Sequence, residues 1–304
     1  MSPYWQEQCT YMGQQNVFEQ AEQTIKKLTG QHVNAKQIER LVHGYGELLA
    51  QRQEQEDHQV ITHNTELHYG MMDGGMVLTR EDDWKEMKLA RIFSARDHIE
   101  TGKSKDCITQ SQYIAHLGGH QAFFRKVERH TDTLPNMIWI ADGAKWIWEW
   151  VKESYPQATQ ILDYYHCKER LCLLASEIFS EPHQRKQWVG QQEDRLFNNQ
   201  LDQVLVEIET LQCQGKSLQL KRSTLTYYEN NRERMNYKTY RDQGLLIGSG
   251  PMEAAHRHVI QVRMKRSGQR WTLKGAQQIA NLRTAYCSGK WDAVKNLIQT
   301  IHLN

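Results

Sequence analysis

The hydrophobic pattern changes once in the middle of the chain, and that change limits the folds that the sequence can adopt. Between residues 66 and 117, three strand-like runs follow one another: LHYGMMDGGMVL, WKEMKLARIFS and KDCITQSQYIAHL. Each run is followed by glycine, charged or turn-forming residues, as expected for strands that are joined by short connections. Three consecutive strands of this kind predict an antiparallel meander.

Strand-like and helical segments alternate after residue 117. The order is a helix in GGHQAFFRKVERH, a strand in MIWIAD, a helix in KWIWEWVKESYP, a strand in ATQILDYY and a helix in HCKERLCLLASEIF. A meander followed by strand, helix, strand and helix is the order of ribonuclease H-like folds. We therefore predict an α/β fold, a ribonuclease H-like mixed sheet flanked by helices, with its core in residues 63–180 and 243–304.

Residues 1–62 are predicted to form a helical N-terminal segment. Apolar residues recur there at helical spacing, at Phe18, Ala21, Ile25 and Leu28 and then at Ile38, Leu41 and Val42. Gly30 ends the first of these helices, and Asn34 can cap the second. The segment has the size of a helix-turn-helix unit that reads DNA, but a helical cap packed on the next domain explains the pattern equally well.

Residues 181–242 lose the strand pattern and are predicted to be an all-helical insertion. Their clearest amphipathic stretch is LDQVLVEIETL. The core returns with GLLIGSGPMEAAHRHVIQVRMK, where Gly250 and Pro251 occupy the positions of a helix N-cap and a first helical residue. A last helix is predicted in LKGAQQIANLRTAYCSG.

The composition indicates a globular cytoplasmic protein. No run approaches the roughly 20 apolar residues of a bilayer span, and the N-terminus lacks the pattern of a secretory signal. The six cysteines include no CxxC pair, so we expect reduced thiols and no zinc site. Net charge is only +2, but the stretch HRHVIQVRMKRSGQR carries five Lys or Arg residues and no acid. This stretch predicts a local basic surface.

Two aspartates occupy positions that suit a metal ion. Asp73 interrupts the apolar strand MMDGGMV, where a carboxylate is costly unless it is paired or bound to a cation. Asp142 follows the strand MIWIA, at the end where α/β sheets place their ligands. An aspartate before glycine is also a common turn or cap residue, so local sequence leaves both interpretations open.

Glu253 completes a possible trio of carboxylates. It lies in the first turn of the helix after GSGP, where a carboxylate also stabilises the helix dipole. Two strand aspartates and a helix glutamate are the carboxylates of a ribonuclease H-like site, which holds two magnesium ions about 4 Å apart. The predicted cofactor is therefore a pair of Mg²⁺ ions, for which Mn²⁺ can substitute.

Five sequence blocks also resemble a known family. They are YGMMDGGMV with WKEMKLARIF, MIWIADGAKWIWEW, ILDYYHCKERL, GSGPMEAAHRHVIQVRMKRSGQRW and LRTAYCSGKWD, in that order over residues 69–292. The blocks look like those of bacterial insertion-sequence DDE transposases of the Kra type, relatives of the Mutator-like transposases. The resemblance implies that Asp73, Asp142 and Glu253 are the three catalytic carboxylates and that residues 181–242 are the family's insertion domain.

The residues around this trio have less specific patterns. Asp163 and His166 match the acid and histidine that the resembled superfamily has at this spacing, and the resemblance implies that they support the catalytic carboxylates or contact DNA. Without the resemblance, Asp163 is better explained as a helix cap. His256 and Arg257 follow Glu253 on one helical face and could meet the scissile phosphate, unless the helix is a solvated basic face. Further contacts to the DNA backbone are expected from Arg263, Lys265, Arg266 and Arg270.

The helix after Asp142 is rich in tryptophan. Trp146 and Trp150 share one helical face, which could stack on unpaired bases but more often packs on a sheet. We expect core packing for this face.

The sequence as a whole predicts a transposase that cleaves transposon ends and joins the freed 3′-hydroxyl to target DNA. Its expected partners are those two DNAs and further copies of the chain, as a homodimer or larger assembly on the nucleoid. Two alternatives remain: a structure-selective ribonuclease H-like nuclease, and a transposase-derived DNA-binding protein without activity. Strand transfer would separate the first alternative from a transposase, and a cleavage assay would separate the second.

Overall fold

The computed structural model describes residues 1–55, 66–99, 107–301 and 303. The chain forms two compact units. Unit 1 comprises Met1–Asn136 and Pro251–Asn304, and unit 2 comprises Met137–Gly250. No helix in the described part of the chain is long and apolar enough to span a bilayer. The six cysteines are all free thiols.

Unit 1 begins with three helices, α1 (Pro3–Gln15), α2 (Phe18–Thr29) and α3 (Ala35–Gln55). Gly30 ends α2 with a φ of 72°, a left-handed conformation that glycine adopts readily. The Asn34 side chain accepts a hydrogen bond from the Gln37 N–H (2.8 Å) and so caps α3. Both boundaries were predicted from sequence. The predicted apolar face was wrong at Leu28, whose side chain is 76% exposed.

The strands of unit 1 follow. They are β1 (His68–Leu78), β2 (Trp84–Ser94), the short pair β3 (His98–Ile99) and β4 (Cys107–Ile108), and β5 (Gln112–Leu117). The strands β1, β2 and β5 pair antiparallel, with Asp73 opposite Leu89 and Leu89 opposite Ala115. This is the predicted meander. The segment ends with helix α4 (His120–Thr131).

Unit 2 contains a parallel strand pair and the helical region. Its elements are β6 (Met137–Ala141), α5 (Lys145–Ser154), β7 (Thr159–Leu162), α6 (Tyr164–Ile178), α7 (Pro182–Leu196), α8 (Leu201–Thr210), α9 (Gly215–Asn231) and α10 (Tyr237–Asp242). Ala141 in β6 pairs with Leu162 in β7. The chain is therefore an α/β protein with parallel and antiparallel strand pairs flanked by helices, and residues 181–242 are helical as predicted.

The chain returns to unit 1 in a long helical segment. It consists of α11 (Gly250–Ala255), a π-helical segment (His256–Gln261) and α12 (Val262–Met264), and it is followed by α13 (Leu273–Cys287) and α14 (Trp291–Thr300). Just before α13, the Trp271 N–H donates to the Leu78 carbonyl (3.0 Å) at the end of β1. This contact fixes the returning chain to the meander.

Helices α1 to α3 are packed within unit 1 and do not form a unit of their own. Helix α3 contacts α13 and α14. A Cβ at Gly46 would lie 2.4 Å from the Gln278 carbonyl oxygen, so this glycine permits the close approach of α3 and α13. The Asn281 amide also donates to the Gly46 carbonyl (2.9 Å). These contacts fit the interpretation of the N-terminal segment as a helical cap.

Candidate functional site

Asp73 is a half-exposed carboxylate in a strand whose preceding residues are buried. Its side chain is 41% exposed, while Met71 and Met72 beside it are buried. One carboxylate oxygen, Oδ1, accepts a hydrogen bond from the Gly74 N–H (2.7 Å). The other oxygen, Oδ2, lies 3.6 Å from Nε2 of His256. At that distance the imidazole interacts with the charge of Asp73 without making a hydrogen bond.

The glycines after Asp73 leave room for two side chains. A Cβ at Gly74 would lie 2.1 Å from Oε1 of Glu86, and a Cβ at Gly75 would lie 3.0 Å from Nδ1 of His256. Any other residue at these positions would displace the Glu86 carboxylate or the His256 ring. Gly75 therefore permits direct contact between β1 and the segment that carries His256, and Gly74 makes room for Glu86 on β2.

The segment that carries Glu253 and His256 has an unusual helical period. Its buried residues occur in pairs, Ala255 with His256, Val259 with Ile260 and Arg263 with Met264, which repeat every four residues. An α-helix of 3.6 residues per turn would rotate this stripe away from the core. The π-helical turns are wider, and the Val262 N–H reaches back five residues to the Arg257 carbonyl. The wider turns keep the stripe on one face.

His256 lies inside that buried stripe, while Glu253 and Arg257 on the same segment are exposed. The His256 side chain is only 5% exposed, and its Nε2 has no hydrogen-bond partner among the described residues. A buried nitrogen without a partner is rare in folded proteins, because it has lost its hydrogen bond to water. The unpartnered nitrogen points to the Asp73 carboxylate, so these two side chains form one polar site.

Asp142 lies directly after β6 in unit 2 and is half-buried. Its Oδ1 accepts a hydrogen bond from the Ala144 N–H (2.9 Å), and its carbonyl accepts one from Nε1 of Trp148 (2.7 Å). The tryptophan-rich helix α5 is mainly core, as expected, because Trp148 and Trp150 are buried. Trp146, which was predicted to share the packed face, is half-buried.

Asp163 follows β7, the strand beside β6, and is almost completely buried at 1% exposure. Its carboxylate accepts hydrogen bonds from Nδ1 of His166 (2.6 Å), from the Tyr165 N–H (2.8 Å) and from the Ser249 hydroxyl. Burial alone would raise the pKa of Asp163, but the hydrogen bonds from His166 and Ser249 outweigh burial and lower it. Asp163 is thus an ionised helix cap that also orients His166.

Three residues near these aspartates were not predicted: Ser249, Arg170 and Tyr227. A Cβ at Gly143, next to Asp142, would lie 2.1 Å from the Tyr227 ring, and the Arg170 guanidinium stacks 3.7 Å from the centre of that ring. Burial raises the pKa of Tyr227, and the Asp142 carboxylate adds to this rise. Arg170 could have been singled out from the sequence, because it lies one helical turn after His166. The local sequence gives no comparable indication that Ser249 or Tyr227 lies near the aspartates.

The basic residues after Glu253 fall into two groups. Arg257, Lys265 and Arg270 are exposed, and Arg266 is half-exposed with hydrogen bonds to Val262 and Gln20. Arg263 differs from the expectation of a DNA contact, because its side chain is 1% exposed.

Arg263 is held inside unit 1 by aromatic rings. Its guanidinium lies 5.0 Å from the centre of the Phe18 ring and 4.8 Å from that of Trp271, and its Nε donates to the Gly13 carbonyl (3.1 Å). Burial lowers the pKa of Arg263 to about 9. A side chain in this environment does not reach a DNA phosphate, so Arg263 is better described as a buried link between the returning chain and the N-terminal helices.

Asp73 offers one carboxylate of the chemical type that binds divalent metal ions. Carboxylate oxygens are the ligands that Mg²⁺ and Mn²⁺ prefer, and Asp73 has a half-exposed carboxylate that accepts one hydrogen bond among the described residues. Within residues 1–55, 66–99, 107–301 and 303, no three His, Cys, Asp or Glu side chains are grouped so that they could hold a metal ion together. No family model matches the chain, and no curated protein matches it.

Proposed function

We propose that the chain is a metal-dependent DNA transposase in which Asp73, Asp142 and Glu253 hold two magnesium ions. The observation that carries the proposal is the contact of His256 with Asp73. Glu253 precedes His256 by three residues on one helical segment, so the first and third carboxylates of the proposed trio lie on elements that touch. Residues 180 positions apart (253 − 73) are brought to the same part of unit 1.

The second aspartate is supported by its position after β6. Asp142 and Asp163 follow the ends of two parallel strands whose last residues, Ala141 and Leu162, are paired. Ligands of α/β proteins bind beyond this edge of parallel strands. The two aspartates have different surroundings there, because Asp163 is almost completely buried and accepts three hydrogen bonds, while Asp142 is only half-buried. We therefore assign the metal to Asp142 and not to Asp163.

Each side chain has a role in the proposed reaction. Bound magnesium ions would supply Lewis-acid activation of the scissile phosphodiester and of the attacking water or 3′-hydroxyl. The three carboxylates would hold the cations and would not be covalently modified. The Gly74 N–H holds Asp73 by a hydrogen bond, His256 lies beside its other oxygen, and the exposed Arg257 would face the negative charge of the phosphate. In unit 2, Asp163 orients His166 toward the solvent-facing side of α6.

The decisive experiment uses duplex DNA that carries the genomic flanks of the gene, together with a supercoiled target plasmid and Mg²⁺. The purified chain should cut the flanks and join them to the plasmid. Asp82→Asn is a matched control, since Asp82 is an exposed aspartate just after β1 that pairs with Lys85. It should retain activity, while Asp73→Asn should not. Cleavage without joining would identify a nuclease, and binding without cleavage an inactive DNA-binding protein.

The proposed DNA surface can be tested separately. Each phosphate contact contributes about 0.9 to the slope of log affinity against log salt for duplex DNA. Reversing the exposed Lys265 and Arg270 to glutamate should lower this slope by roughly 2 and weaken binding to related and unrelated sequences alike. The control is Lys186→Glu, which reverses the charge of an exposed lysine on α7, outside this basic stretch. An unchanged slope in the double variant would show that this stretch does not contact the DNA phosphates.

A further inference from the structure

The side chain of Tyr227 on α9 reaches the residue that follows Asp142. A Cβ at Gly143 would lie 2.1 Å from Cε2 and 2.8 Å from Cζ of the Tyr227 ring, so the hydroxyl end of the ring meets the chain there. Burial is the main cause of the raised pKa of Tyr227, and the charge of Asp142 adds to it. A residue of the helical region 181–242 therefore lies within electrostatic reach of the proposed metal ligand.

The same aromatic ring also contacts the guanidinium of Arg170 on α6. The Arg170 Cζ lies 3.7 Å from the centre of the Tyr227 ring, which is a van der Waals contact distance. The ring covers one face of the guanidinium and restricts its rotation, while the N–H donors of arginine point outward in the guanidinium plane. Arg170 is half-buried, so part of its side chain remains open to solvent.

A second stacked arginine of unit 2 shows how such a group can be satisfied by the chain itself. Arg234 lies 4.7 Å from the centre of the Trp148 ring. Its guanidinium donates hydrogen bonds to the side-chain oxygen of Gln160 (2.8 Å) and to the Asn230 carbonyl (3.4 Å). In the described part of the chain, Arg170 has no acid partner and no carbonyl or amide acceptor of this kind. The in-plane donors of Arg170 therefore remain for a ligand.

We propose that Arg170 binds a backbone phosphate of the DNA strand that is held at Asp142, and that Tyr227 is a positioning residue that holds the guanidinium for this contact. A guanidinium and a phosphate form paired, charge-assisted hydrogen bonds in one plane. The positive charge also offsets the repulsion between the phosphate and the Asp142 carboxylate. The inference rests on the proposed function, which places DNA at Asp142.

The test is the affinity of the full chain for duplex DNA of unrelated sequence, measured by fluorescence anisotropy in Ca²⁺ at several salt concentrations. Calcium is chosen because binding is then separated from cleavage. Arg170→Gln should weaken binding about tenfold and lower the slope of log affinity against log salt by about 0.9. Arg170→Lys keeps the charge without the planar donors, so it should retain the slope and lose part of the affinity.

The positioning role of Tyr227 is tested by two substitutions at that residue. Tyr227→Phe keeps the ring under the guanidinium and should bind DNA as wild type does. Tyr227→Ala removes the ring and should weaken binding several-fold, because the guanidinium is no longer held in one orientation. Equal losses for the two variants would show that the ring does not position Arg170.

Arg241→Gln is the matched control, since Arg241 also stacks on an aromatic ring of unit 2, that of Phe197 (4.5 Å). It should leave affinity and slope unchanged. Urea denaturation gives the folded fraction of each variant, so that affinities are compared per folded molecule. The proposal is overturned if wild type does not bind DNA, if Arg170→Gln leaves the slope unchanged, or if Arg241→Gln lowers it equally. A chain that shows the expected Arg170 effects but neither cleaves nor joins DNA would refute the transposase and retain this phosphate contact.

Discussion

The chain contains two aspartate–histidine pairs that differ in how completely the protein satisfies the carboxylate. Asp163 is 1% exposed and accepts hydrogen bonds from His166, Ser249 and the Tyr165 N–H. Asp73 is 41% exposed, accepts one hydrogen bond from the Gly74 N–H, and has its histidine 3.6 Å away. Both counts refer to contacts among the described residues.

This difference separates a carboxylate that stabilises the fold from one that is available to a ligand. The hydrogen bonds of Asp163 leave little capacity for a metal ion, and they hold His166 in one orientation. Asp73 keeps most of its acceptor capacity and has lost part of its hydration. Sequence alone had given both residues a place near the reaction, and the structure distinguishes their environments.

The largest expected effect that would test this contrast is on catalysis. Asp73→Asn should lower the rate of DNA cleavage by more than about a hundredfold, because even residues behind a metal ligand typically contribute 10- to 100-fold. Asp163→Asn should lower the rate per folded molecule less than that. Initial rates on the flank substrate give both values, with circular dichroism to determine the folded fraction. A larger loss for Asp163→Asn would reverse the assignment.

The next effect is on stability, and it runs in the opposite order. Asp163→Asn should lower the free energy of unfolding by about 2–4 kcal/mol, because the amide cannot accept all the hydrogen bonds that the buried carboxylate accepts. Asp73→Asn should change it by less than about 1 kcal/mol, as is usual for a half-exposed group. Urea denaturation measures both. Equal losses would show that the two carboxylates are structurally equivalent.

The same contrast has a pH dependence. The pKa of Asp163 is lowered from its ordinary value of 3.8, so its contribution to stability is complete above about pH 5 and is lost as the pH falls toward the folded-state pKa. The difference in unfolding free energy between wild type and Asp163→Asn should therefore shrink on acidification. Urea titrations from pH 7 to pH 3 test this. A difference that grows at low pH would mean that the folded-state pKa is raised.

The smallest expected effect concerns Ser249, one of the three donors to Asp163. Ser249→Ala should cost about 1–2 kcal/mol of stability, less than the loss of the carboxylate, because the other two hydrogen bonds remain. The double variant Ser249→Ala with Asp163→Asn should cost less than the sum of the two, since each removes the same contact. Strict additivity in urea denaturation would show that the contact contributes nothing.

Most of the fold could be predicted from local patterns. The meander follows from the runs that became β1, β2 and β5. The C-terminal end of α2 follows from Gly30, and the start of α3 follows from Asn34. The π-helical segment could not be predicted, since a four-residue burial period lies close to an ordinary helical one. Leu28 has the helical spacing of a core residue, but its exposure depends on which neighbouring elements pack against α2, and the local sequence does not show this.

The candidate site was predictable only in part. Asp73 and the glycines after it form a local signal for a close approach, and His256 supplies the contact. The burial of Arg263 depends on Phe18 and Trp271, and the environment of Asp163 on Ser249, 86 residues away (249 − 163). Such contacts arise from the tertiary structure and have no local pattern. The convergence of Asp73, Asp142 and Glu253 stays a prediction.

The π-helical segment also determines which changes of length the chain can accept. A π turn is equivalent to an α-helix with one inserted residue, so removing one residue from His256–Gln261 would restore ordinary helical winding. Five residues in α-helical winding sweep about the same angle as six in the wider π-helical winding, so Arg263 would keep its place beside Phe18 after the deletion. Winding all six residues as an ordinary α-helix would instead turn everything after them by about 100° and carry Arg263 away from Phe18. In this part of the molecule, a chain that is one residue shorter can therefore keep the same buried contacts by losing the π turn.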